Sequence, residues 1–184
     1  NIPVIFFDKV PDTNEYNKVC VADVASATIA ANAILQKNKQ KILAIFGNEH
    51  LSITKKRLEA FQRTIGEKAT LLIKHAGNSK DAESITTNEL YHQPDVVFCM
   101  SDEILAGAHK AIERAGLAIP ADISLIAISN GYIPKLYFPE ITYVETSGHK
   151  LGKLAFNALI ECIEHETYPK ERAIEALLVE GGSL

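Results

Sequence analysis

The chain has 184 residues, enough for one medium domain or two small lobes with a sizeable core. Hydrophobic residues make up 47% and charged residues 23%, an ordinary globular balance, and the formal charge of −4 argues against a nucleic-acid-binding surface. The longest apolar runs are strand-sized, too short to span a bilayer, and no secretory or transit sequence opens the chain, so no membrane partner is expected.

The chain enters at once on a strand-like run, 2–7, with no cap or lead-in, which suits a fragment of a longer protein as well as a natural start. A second run at 19–22 leads to Asp23, read as the cap of an Ala-rich helix over 24–36. A strand over 42–46 is followed by Ser52 as cap of a helix over 53–65. A strand over 71–73 is followed by Ser79 and a helix over 80–91. The run 96–100 precedes Ser101 and a helix over 102–115, which Gly116 closes at a C′ position. Strands over 123–128 and 143–144, a long helix over 149–166 and a strand over 177–179 complete the chain. On the long helix Leu151, Leu154, Ala155, Ala158, Leu159 and Cys162 form a core stripe, widened by Phe156 and Ile160.

Strand and helix alternating at this spacing predict an α/β fold of right-handed βαβ units around parallel sheets. Several runs lack polar alternation, as strands covered on both faces do. Cys20, Cys99 and Cys162 are widely separated with no C-x-x-C, so they read as reduced, buried thiols of a cytoplasmic protein. The six histidines lack metal-ligand spacing, so neither a metal nor a cofactor is expected.

Open parallel sheets bind ligands beyond the carboxyl ends of their strands. Asp8 follows the first run, residues 47–52 follow the run at 42–46, and Ser101 and Asp102 follow the run at 96–100. Ser129 and Asn130 follow the run at 123–128, and Arg57 lies about a turn into the helix after Ser52. Short polar groups and one fork-shaped cation suit hydrogen bonding to a small polar ligand. Each has a plainer alternative: Asp102 complements a helix dipole, Ser52 and Ser101 cap helices, and Arg57 could sit on a solvated face. Ala127 to Gly131 nearly matches the A-x-S-x-G nucleophile elbow, but that motif needs a helix directly after the serine. Pro134 and Pro139 make such a helix improbable, so no catalytic residue is assigned and an enzyme is not expected.

The stretch "PDVVFCMSDEILAGAHKAIERAGLAIPADISLIAISN" resembles the core signature of the lactose-repressor-type (LacI/GalR) transcription regulators. "IPVIFFDK", "ADVASATIAANAIL", "KILAIFGN…S…RLEAF" and "PEITYVETSGHKLGKLAFNALI" resemble the family's other blocks in the same order. The resemblance implies a type I periplasmic-binding-protein-like effector domain with a complete C-terminal lobe (23–146 and 172–184) and part of an N-terminal lobe (1–22 and 147–167). The crossovers would lie near 22–23, 144–147 and 167–172. It also implies that a DNA-binding helix-turn-helix and the first half of the N-terminal lobe lie outside this chain.

By the same resemblance the effector-binding arginine is Arg57, a strand-end aspartate is Asp8, and a polar position is Ser101. The strand-end aspartate of many members falls on Ser129, beside Asn130. Two positions often polar in sugar-binding members are Leu51 and Ile53, and an aromatic that often stacks on ligand falls on Gly77. Losing the carboxylate removes a charge-assisted acceptor, and each aliphatic favours apolar ligand surface by about 1.5–3 kcal/mol if fully buried. The expected effector is therefore sugar-like but less hydroxyl-rich than a simple hexose, or bound by a weakened site. Expected partners are operator DNA, through the absent domain, and a second copy of the chain. The dimer contacts would lie on the helix from Leu105 to Ala115 and on Leu136, Tyr137 and Phe138. A periplasmic solute-binding protein of a sugar transporter is the competing expectation, since it shares the fold and the crevice.

Overall fold

The computed structural model describes residues 2–10, 13, 15–165 and 170–184. The strands are β1 (Ile5–Phe7), β2 (Asn17–Val21), β3 (Lys41–Phe46), β4 (Thr70–His75), β5 (Val96–Cys99), β6 (Ser124–Ser129), β7 (Thr142–Glu145), β8 (Glu171–Ile174) and β9 (Leu177–Val179). The helices are α1 (Asp23–Gln36), α2 (Ser52–Ile65), α3 (Ser79–Glu89), α4 (Asp102–Arg114) and α5 (Gly148–His165). A three-stranded sheet runs β1-β2-β8, and a six-stranded sheet runs β4-β3-β5-β6-β7-β9. All pairings are parallel except β7 with β9. The expected α/β class with parallel sheets therefore holds, with one antiparallel edge strand added.

Because β3 lies between β4 and β5, the chain moves one way through α2 and returns through α3. The constant right hand of such crossovers puts those helices on opposite faces of the large sheet. α1 packs beside α2, and α3 beside α4. Covered on both faces, β3, β5 and β6 bury nearly every residue. Phe61 and Phe98 stack with centroids 4.4 Å apart at the centre of this core, with Phe46 beside them. The small sheet packs Val19, Val21 and Ile174 against Leu151 and Ala158 of α5. Of the α5 stripe, Leu151, Ala158 and Cys162 are buried, Leu154, Ala155 and Leu159 are half-buried, and Phe156 stays exposed.

Several boundaries shift for identifiable reasons. Asn78, not Ser79, caps α3, its Oδ1 accepting from the N–H groups of Lys80 and Asp81 at 2.9 and 3.0 Å. Ser52 and Asp23 are first-turn residues behind Leu51 and Ala22, which offer no side-chain cap. Ser101 does cap α4, accepting from the Ile104 N–H at 3.4 Å, and Gly116 follows in the left-handed conformation at φ 70°. The strand β8 was not expected, because "ERAI" has no apolar run. Its edge position leaves Glu171 and Ala173 exposed, and a Lys18–Glu171 ion pair at 3.0 Å ties it to β2.

The chain passes between the sheets at Ala22, at Thr146–Ser147 and at Glu175–Ala176. The third passage therefore falls later than the expected 167–172, because 171–174 belongs to the small sheet. Residues 166–169, within that expected span and at the end of the expected last helix, lie outside the described residues. After β6 comes a 3-10 turn at Ile133–Leu136 rather than a helix, so the elbow reading fails on structure as it did on sequence.

The expected dimer face needs one correction. Leu105 is fully buried in the main core and has no surface to offer a partner. Leu136 and Phe138 are 62% and 99% exposed, whereas Tyr137 is half-buried and stacks on His109 of α4 with centroids 4.0 Å apart.

Candidate functional site

The carboxyl ends of β3, β5 and β6 and the first turns of α2 and α4 open on one cleft of about 350 Å³. Asp8 from the small sheet, and Thr146, Gly148 and Leu151 from the passage into α5, close it from the other side. All seven candidate residues, Asp8, Leu51, Ile53, Arg57, Ser101, Ser129 and Asn130, line it, as does Gly77. A neighbouring hollow of about 550 Å³ shares Asp8, Val21 and Ile53 but lies beside α1, away from the ends of β5 and β6.

Arg57 is only 5% exposed, which rules out the solvated-face alternative. Its Nε donates to Asp23 Oδ1 at 2.8 Å and its Nη1 donates to the Met100 carbonyl at 3.2 Å. Burial pushes the Asp23 carboxyl above its ordinary value against the pull of Arg57, and lowers the guanidinium against the pull of Asp23. The guanidinium stays charged, since arginine does not lose its proton in proteins. Sequence reading took Asp23 as a helix cap and missed this role. The available signal was that a buried arginine requires a counter-charge.

Asp8 ends β1 at φ 68°, a left-handed conformation that aspartate tolerates better than most residues. Its side chain is exposed toward the cleft. Ser129, at 2% exposure, donates its hydroxyl to Asp102 Oδ1 in a very short hydrogen bond and accepts from the Gly131 N–H at 2.9 Å. The Asn130 N–H donates to Asp102 Oδ2 at 3.3 Å. Asp102 is thus more than a dipole partner, and the carboxylate expected to be lost at Ser129 is supplied from α4. Leu51 is exposed and Ile53 half-exposed at the rim, giving one apolar wall.

Among the described residues lining the cleft there is no histidine, cysteine or aromatic ring. Cys20 lies in the neighbouring hollow, its thiol pushed up to about 11 chiefly by burial and then by Glu171. Cys99 and Cys162 are buried and free. The arrangement holds hydrogen-bond donors and acceptors around a void, and the hydroxyl that lies beside a carboxylate, Ser129 against Asp102, is almost wholly covered and also accepts from the Gly131 N–H. Among the described residues no helix is long and apolar enough to cross a membrane.

Comparison with known proteins agrees with this architecture. A repressor named PurR from Vibrio atlanticus (strain LGP32) is 24% identical over 177 residues, covering 92% of this chain and 53% of that protein. The chain therefore spans about half the length of the curated relatives it matches. A LacI family transcriptional regulator from Enterococcus faecalis V583, crystallised with bound ribose, superposes with a TM-score of 0.89 at 22% identity, covering 99% of this chain and 68% of that one. A dimeric lac repressor superposes with a TM-score of 0.89 at 18% identity, covering 100% of this chain and 69% of that one. With residues 31–184 matching its sequence pattern, the chain belongs to the periplasmic binding protein-like domain family.

Proposed function

We propose that this chain is the effector-binding and dimerisation part of a LacI-type transcription regulator. A small, polar, sugar-like ligand would occupy the cleft between the two sheets. The observation behind the proposal is convergence: residues from five separate stretches of chain, around positions 8, 51–57, 101, 129 and 146, meet on one cleft. The Ser129 hydroxyl, bonded to Asp102, is almost wholly covered and cannot reach a ligand carbonyl freely, which favours a binding site over an enzyme. That the relatives named above are repressors and regulators favours a cytoplasmic DNA-binding protein over a transport receptor.

In this reading the ligand bridges the two sheets and biases their relative orientation. A coupling of roughly 1–3 kcal/mol is typical of such linkage. Operator DNA would be reached through a domain beyond this chain, paired by an isologous dimer. The exposed Leu136 and Phe138 are the apolar surface that such a dimer would cover. Isothermal titration of the intact protein with free pentoses and hexoses tests the ligand site. At least one is expected to bind, and Arg57→Met should weaken it by about 1.5–3 kcal/mol. Unchanged affinity in a folded Arg57→Met protein would overturn the assignment. Sedimentation velocity of a Leu136→Asp, Phe138→Asp double variant should show monomers, and a persisting dimer removes this face from consideration.

A further inference from the structure

Two sets of hydrogen bonds determine how charge is presented in the cleft. Arg57 is its most buried cation, yet Nε is committed to Asp23 and Nη1 to the Met100 carbonyl. Its charge is therefore matched within the protein before any ligand arrives. Lys9 is the other cation on the lining, which also carries the carboxylates of Asp8, Asp102 and Glu103. The described lining thus carries three carboxylates against two cations, and the adjoining Asp23, which is matched to Arg57, has Lys56 beside it.

Ser129 occupies the end of β6, but its hydroxyl is almost wholly covered and already both donates and accepts. It has little left to offer a ligand. Asp102 is half-exposed on the same lining, and among the described residues no cation pairs with it. A carboxylate has about four lone-pair sites. Ser129 and the Asn130 N–H use one on each oxygen, which leaves acceptor capacity on both. The carboxylate is thus held at a fixed angle by the strand end and by its own place in the first turn of α4.

Resting on the effector-site reading above, we propose that Asp102 is the specificity-determining acceptor of the cleft and that Ser129 is its positioning residue. The ligand class that follows is a non-aromatic molecule bearing hydroxyl or amine donors and no anionic group. A phosphate or carboxylate on the ligand would meet an excess of like charge in a partly desolvated space, where such repulsion is poorly screened. A flat aromatic ligand would find no ring to stack on among the described lining residues. Leu51 and Ile53 fit the aliphatic face of such a polyol or amine.

The test is a matched charge series titrated into the intact protein by calorimetry: glucose, glucosamine, glucuronate and glucose 6-phosphate, with ribose, its amine and ribose 5-phosphate alongside. Binding is expected among the neutral and amine-bearing members, with the acid and phosphate on the same frame weaker by about tenfold or more. Asp102→Asn should weaken the best neutral ligand by about tenfold. It should also narrow the gap to the matched phosphate while leaving the melting temperature of the free protein nearly unchanged. Ser129→Ala should weaken the same ligand, and Ser129→Thr, which keeps the hydroxyl, should restore it. An acid or phosphate that binds as tightly as its neutral parent overturns the charge assignment, and this arm needs no variant. Affinity unchanged by a folded Asp102→Asn overturns the role of Asp102. Failure of every member, whatever its charge, instead overturns the effector-site reading on which the proposal rests.

Discussion

Gly107 sits in the middle of α4 where that helix crosses the first turn of α3. A Cβ built on it would lie 2.1 Å from the Ser79 carbonyl oxygen and 2.9 Å from both Ala82 Cβ and the Glu83 nitrogen. Two of these three contacts are backbone, so no side-chain rotation relieves them. Carbon–oxygen contacts settle near 3.3 Å, so Gly107→Ala requires the helices to separate by about 1 Å. That retreat loosens Ala82 and Thr86, both fully buried, and draws Glu83 from Lys110, now 2.9 Å away. Overpacking of this kind costs about 1–3 kcal/mol, here at the upper end because the obstacle is backbone. The better helix propensity of alanine returns about 1 kcal/mol. The net loss of about 2 kcal/mol corresponds to a drop of about 4–8 °C in melting temperature for a chain of this size. Gly152 of α5 is the internal control, since a Cβ there meets nothing within 4 Å. Gly152→Ala should stabilise by about 1 kcal/mol, the propensity gain alone. Thermal and urea unfolding of both variants decide the matter. If Gly107→Ala melts at or above the wild-type temperature, or the two variants shift alike, the close crossing of α3 and α4 is wrong.

Two further perturbations probe how the chain's last segment and its small sheet are held. The Ser183 hydroxyl is fully buried, accepts from the Thr142 N–H at 2.8 Å and donates to the Leu125 carbonyl at 2.5 Å. Ser183→Ala leaves that N–H without its partner and should cost about 1–3 kcal/mol in urea unfolding, while Ser183→Thr restores part of it only if the added methyl fits. The Lys18 ammonium holds the Glu171 carboxyl below its ordinary range. Because the folded value is depressed, this stabilisation is present above the unfolded value of about 4.3 and is lost as pH falls through the folded one. Glu171→Gln should therefore flatten the acid limb of the stability–pH profile below about pH 4.3 and leave the slope between about pH 6 and 8 unchanged.

The parts of this fold readable from sequence are those written in local chemistry. Unbroken apolar runs at 42–46, 96–100 and 123–128 mark strands that helices cover on both faces, and Ser101 and Gly116 bracket α4 through hydrogen bonding and backbone conformation within a few residues. β8 escaped because an edge strand needs no apolar run, and its anchor, Lys18, lies more than 150 residues away in the chain. The cleft was legible as a set of strand ends and one arginine, and the structure brings that set together. Its electrostatics were not legible. The pairing of Arg57 with Asp23 spans 34 residues and that of Ser129 with Asp102 spans 27, and no local pattern encodes either distance. Leu105 was misplaced for a different reason: the resemblance assigns a whole helix to the dimer face and does not say which of its residues the core covers.

Helix α4 begins with Asp102 in the cleft and carries His109, stacked on Tyr137, seven residues later. At 1.5 Å per residue the two stations are about 10 Å apart on one continuous rod. Gly107, between them, is wedged against α3 and gives no slack. The cleft carboxylate and the aromatic pair beside Phe138 therefore stand on one continuous helix, clamped against α3 at Gly107 between them.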